Sequence, residues 1–98
     1  MKESTLRKKA IDILQKADWV TWRPPRVKFF ETDVFGIFDI LAWKLDELRG
    51  IQITTLPNKS ARIKKIQNFL IKNNLGKALT MEVWAYDIKK KQYRFFVL

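Results

Sequence analysis

The sequence predicts a small α/β (α+β) domain, a mixed sheet with flanking helices in the order αβββαββ. Three observations predict it. Apolar residues recur at three- and four-residue spacing near the start of the chain and again past its middle. Runs rich in β-branched and aromatic residues come in pairs joined by short polar connections, the pattern of hairpins. Ninety-eight residues, 47% of them hydrophobic, suit one domain over 1–98, with no repeat, low-complexity tract or linker.

Taken in order, residues 3–17 read as a helix whose stripe is Leu6, Ala10, Ile13, Leu14 and Ala17. Lys2, Arg7, Lys8, Lys9 and Lys16 are assigned mostly to its other faces. Residues 19–22 read as a short strand, which Pro24 and Pro25 stop because neither can donate to a ladder. A loop over 23–32 carries Arg23, Arg26 and Lys28 interleaved with Trp22, Phe29 and Phe30, aromatics that can stack on unpaired bases or, for Phe29 and Phe30, pack onto the sheet. Gly36 then allows a bend ahead of a strand over 37–43, which pairs through a polar connection with a strand over 51–55. A second helix follows, with Asn58 or Thr55 as its cap, Ile63, Ile66 and Leu70 as its stripe, and Gly76 as its stop. The last hairpin runs from Thr80 to Leu98, turning at the lysines 89–91. Both helices are expected over one face of the sheet. The apolar 95–98 run is expected to be central or covered by a second subunit.

Composition narrows the chemistry. Lysine and arginine outnumber acids twenty to ten, a net charge of +10, which attracts polyanions in a salt-dependent way and makes nucleic acid the expected partner. Without cysteine or histidine there is no zinc finger, thiol chemistry or histidine base. Any metal would have oxygen ligands, as magnesium or manganese does. No run is long enough to span a membrane and no secretory signal opens the chain, so no membrane and a cytoplasmic location are expected.

The stretch over 33–55 carries the most informative polar residues. Asp39 lies among Phe38, Ile40, Leu41 and Trp43, and Gln52 between Ile51 and Ile53. A carboxylate stripped of water there costs several kcal/mol, roughly, unless it has a partner. Two readings stand: a structural Asp39, either at a strand end or tied to a lysine or a backbone amide, or a functional one. With an even-numbered hairpin loop, such as Leu45-Asp46, odd positions of the first strand oppose even positions of the second. Asp39 then shares a face with Gln52 and Thr54, while Lys44 and Arg49 project from the other.

Phe-Asp-Ile-Leu-Ala-Trp-Lys at 38–44, a turn, and Gly-Ile-Gln-Ile-Thr at 50–54 resemble the core of the PD-(D/E)XK (restriction-endonuclease-like) nuclease superfamily. The nearest likenesses are the archaeal Holliday-junction resolvases and small phage and prophage nucleases. The resemblance extends over most of the chain, and it implies an α-β-β-β-α-β core. By it, Asp39 matches the family's strand aspartate, Gln52 its acidic position and Thr54 its lysine position. The implied metal is Mg2+ (or Mn2+), held by Asp39 and Gln52, with Asp33 and Glu3 as further ligand candidates. A turn or cap role for Asp33 and a frayed terminal role for Glu3 are the alternatives. Gln52 offers a neutral oxygen in place of a charged one, and Thr54 cannot replace an ammonium, so Lys59 at the start of the second helix is the candidate for that role. Arg23, Arg26, Lys28, Lys59 and Arg62 are the expected DNA contacts.

The expectation is a metal-dependent DNA endonuclease acting on branched or junction DNA, as a homodimer if it resolves junctions. The rival is a catalytically inactive DNA-binding module of the same fold. A structural partner of RNA is a third class.

Overall fold

The computed structural model describes residues 2–25 and 33–98, apart from the side chain of Glu3, and is mixed α+β. Its elements are α1 (Glu3–Lys16), β1 (Val20–Trp22), β2 (Ile40–Lys44), β3 (Glu47–Thr55), α2 (Lys59–Lys72), β4 (Thr80–Asp87) and β5 (Gln92–Val97). One 3-10 turn, Leu56–Asn58, leads into α2. The expected order αβββαββ is the order observed.

The five strands lie side by side in chain order, β1-β2-β3-β4-β5. β1, β2 and β3 are antiparallel neighbours, β3 and β4 are parallel, and β4 and β5 close the sheet antiparallel. The parallel pair needs a crossover, which α2 supplies. β4 is central and covered on both faces, so Met81 through Tyr86 are all buried in spite of their alternating polarity.

The helices do not share a face. Leu6, Ala10 and Leu14 of α1 pack with Ile40, Ala42, Ile51, Ile53, Trp84, Tyr86 and Tyr93. Ile66 of α2 packs instead with Ile37, Phe38, Met81 and Val83. Strand alternation sends Val83 one way and Trp84 the other, and each helix takes one set. The single-face expectation fails because both faces of β4 are apolar enough to need a cover, Met81 and Val83 on one and Trp84 and Tyr86 on the other.

Other boundaries shift for identifiable reasons. The first hairpin turns on two residues, Leu45 and Asp46, so β3 starts earlier than expected, at Glu47. β2 starts later, because residues 34–38 form their own tight turn, closed by the Val34 N–H donating to the Phe38 carbonyl at 2.7 Å. Gly36 is left-handed there (φ 72°), as its bend requires, and Phe35 shares that conformation. At the end of α2 the left-handed residue is Asn74 (φ 53°) rather than Gly76. β5 is an edge strand with Phe95 and Val97 exposed, so the central placement of 95–98 does not hold.

Gly50 has a steric reason to be glycine. A Cβ there would stand 2.9 Å from three ring atoms of Phe38, whose ring lies against the strand beside Asp39. Gly50→Ala is expected to cost about 1–3 kcal/mol through overpacking, read as a lower urea midpoint with an unchanged m-value.

Candidate functional site

Three chain segments meet at Asp39. β3 brings Gln52 to the position opposite it, because the register that pairs Ile40 with Ile51 and Lys44 with Glu47 puts 39 across from 52. The Asp39 N–H donates to the Ile51 carbonyl at 2.8 Å, which extends the ladder one residue beyond β2. The turn over residues 34–38 doubles the chain back and brings Asp33 alongside. The third segment is α1, which delivers Arg7.

Arg7, Asp39 and Gln52 are 1%, 0% and 2% exposed. The Arg7 guanidinium donates from Nη2 to both Asp33 Oδ1, at 2.9 Å, and Asp39 Oδ1. Asp39 Oδ2 accepts from Gln52 Nε2 at 2.8 Å and from the Ile53 N–H at 2.6 Å. Gln52 Nε2 also donates to the Ile53 carbonyl at 3.2 Å, while its Oε1 is buried with no hydrogen-bond partner among the described residues. Burial pushes the Asp39 carboxyl up from 3.8 to about 7, against the Ile53 amide and Arg7, which pull it down; neighbouring Asp33 adds to the rise.

Asp39 thus lies at a strand end and is tied to a backbone amide, as the structural reading had it, but its cation is an arginine rather than a lysine. It also faces Gln52, as the register argument required. Lys44 and Arg49 project from the opposite face, over the Trp19 ring at 6.0 Å and 4.3 Å, as expected.

Lys59 is placed otherwise than its proposed role needs. Its Nζ lies 4.5 Å from the centre of the Phe96 ring. Phe96 pairs with Val83, and Val83 with Gln52, so the ammonium stands over a strand two positions away from Gln52. Two strand spacings are about 10 Å. Arg62, in the first turn of α2, is half-buried, and Arg23 is exposed. Arg26, Lys28 and the Glu3 side chain lie outside the described residues.

Arg7 is the residue that sequence reasoning misplaced. The sequence groups it with the lysines, mostly on the other faces of α1, yet it sits three residues before Ala10 and seven before Leu14, on the buried stripe. That spacing was the available signal, and the charge of Arg7 overrode it. Ile13, counted on the stripe, is exposed instead.

The donor set suits a guanidinium better than a divalent ion. Both oxygens of Asp39 accept hydrogen bonds, Gln52 presents its amine to them, and Asp33 is engaged by the same arginine. Among the described residues no group of three acidic side chains is placed to hold a metal. As arranged, the site does what a buried ion pair does: it fastens α1 to the sheet. Comparison with protein-family models and with curated proteins finds no match.

Two outcomes follow. Arg7→Met strands a buried carboxylate and should cost about 3–5 kcal/mol in urea unfolding at pH 8. The loss should be smaller at pH 5, where Asp39 takes a proton instead; an equal loss at both pH values would exclude the ion pair as its source. In the native chain, Asp39 holds its proton more tightly folded than unfolded. Its stabilising contribution is therefore complete below pH 3.8 and is lost as pH rises through about 7. Asp39→Asn should remove that downward slope between pH 4 and 7 in paired stability profiles.

Proposed function

We propose that this chain is a DNA-binding domain on a PD-(D/E)XK-like scaffold, in which an arginine takes the place of the metal ion. The observation that carries this reading is the Arg7 guanidinium seated on Asp33 and Asp39. The positive charge that a nuclease of that superfamily would borrow from magnesium is here covalently part of α1. Support for the scaffold comes from the α-β-β-β-α-β order and from the Asp39–Gln52 pairing.

Support for a polyanionic ligand comes from where the acids are spent. Arg7 engages two carboxylates, and Arg49 engages two more, Glu47 at 2.6 Å and the buried Glu82 at 3.1 Å. Among the described residues these two arginines engage four of the ten acids, while many other cations face outward. Lys2, Lys8, Lys9, Lys16, Arg23, Lys64, Lys65 and Lys72 are exposed. No helix among the described residues is long and apolar enough to cross a membrane.

One observation favours a second reading, the Mg2+- or Mn2+-dependent endonuclease acting on branched DNA as a homodimer. Gln52 Oε1 is buried and without a partner among the described residues, and Asp33 is partly exposed, so two oxygens beside Asp39 are not fully used.

Labelled linear, flapped and four-way-junction DNA, incubated with manganese or with EDTA, separate the two. The expected result is binding without cleavage, in the native chain and in Asp39→Asn alike. Affinity should fall about a hundredfold between roughly 50 and 200 mM salt if some four phosphates are neutralised. Manganese-dependent cutting that Asp39→Asn abolishes would establish the second reading in its place.

A further inference from the structure

α2 covers only part of its face of the sheet. Its stripe lies over Met81 and Val83 of β4, with Phe38 filling the space at Gly50. Beyond them the same face continues across β3, β2 and β1. Val20 pairs with Trp43 and Trp43 with Leu48, forming one row; Trp22 pairs with Leu41 and Leu41 with Gly50, forming the next. Antiparallel partners share a face, so Val20, Trp22, Leu41, Trp43 and Leu48 form one apolar surface. Val20, Trp22 and Trp43 are 73%, 54% and 60% exposed. The next row along the sheet is Asp39 with Gln52, so this surface borders the ion-paired site.

The four tryptophans divide by face. Trp84 is buried, its indole N–H donating to Glu82 Oε1 at 2.8 Å, and Trp19 is capped by Arg49. Trp22 and Trp43 project from the other face. Trp43 is exposed yet held, because its indole N–H donates to the Leu45 carbonyl at 2.8 Å across the hairpin turn. An indole fixed in this way offers a flat face without the entropy cost of ordering it on contact.

We propose that Trp22 and Trp43 form a stacking platform for unpaired nucleobases. This rests on the reading that the chain binds nucleic acid, and it specifies the kind: single-stranded segments, as in flaps and junctions. Charge complementarity selects this occupant. A second copy of the chain would bring its own +10 toward this one, whereas a single strand brings phosphates. Exposed Arg23 directly follows Trp22, which puts a cation next in the chain to the platform. Aromatic stacking is indifferent to base identity, since every base has a π-face.

The test measures the affinity of an oligothymidylate of about 16 nucleotides by quenching of tryptophan fluorescence, and by anisotropy of a labelled strand. Trp22→Ala and Trp43→Ala should each weaken single-strand binding about five- to a hundredfold. The salt slope should not change, because no phosphate contact is lost, and duplex affinity should move less than about twofold. Trp43→Phe, which keeps an aromatic face, should restore most of the loss. Native affinity for the single strand in both alanine variants would overturn the platform while leaving DNA binding intact. So would sedimentation showing that the native chain is a dimer and that the variants split it without changing DNA affinity, since the surface would then be a contact between copies. A native chain that binds neither strand nor duplex would overturn the broader reading, and this one with it.

Discussion

The structure depends on one buried cation. Arg7 is set against groups that would be costly to bury without it, Asp39 inside the fold and Asp33 at its margin, while the amide of Gln52 donates to the other oxygen of Asp39. Each carboxylate arrives by a different route, Asp39 at the entry to β2 and Asp33 from the far side of a tight turn. The guanidinium suits the task because a single nitrogen, Nη2, carries two N–H donors fixed in the plane of the group and reaches both at once. A lysine would offer a point charge with no fixed fork. The same contact ties the first helix to the middle of the sheet, where the Tyr93 hydroxyl adds a bond to the Leu6 carbonyl from the distant last strand. Architecture and site are therefore hard to separate. The residue that neutralises the aspartate is also the one that docks the helix.

Much of this was legible in the sequence. The two helices and the two hairpins follow from local periodicity, which depends on near neighbours and is written directly into the chain. The pairing of Asp39 with Gln52 was legible too, because strand parity needs only the parity of the turn. What escaped notice was non-local. Nothing in a short window says that α1 and α2 take opposite faces; that follows from β4 being central, which is a property of the whole sheet. Arg7 was hidden for a related reason. An arginine on an apolar stripe looks like the stripe's polar border until the aspartates meant for it, 26 and 32 residues away, are brought into view. The stop of α2 at Asn74 shows a smaller version of the same limit, since Asn and Gly both tolerate left-handed backbone and the sequence offers both.

The aromatic residues illustrate how one composition serves two ends. Tyr86, Tyr93, Trp84 and Phe95 form a connected set of edge-on and tilted contacts beneath α1, with ring centres 4.7–6.4 Å apart. Phe95 extends the set to the exposed edge, while Trp84, Tyr86 and Tyr93 supply core area. The rings on the far face of β1 and β2 add none, and a fold this small has little reason to leave them uncovered unless something outside the chain makes use of them.

The last two strands belong to both cores at once. Trp84, Tyr86 and Tyr93 complete the layer under α1, while Met81 and Val83 complete the layer under α2. Only one connection, the exposed stretch over residues 73–78, joins this hairpin to everything before it. A chain cut there would leave two pieces, neither holding a whole core. Neither should fold alone, yet together they retain every strand pairing and every layer contact of the intact molecule. The domain is in this sense a natural split protein, whose two parts report on each other's presence by acquiring structure.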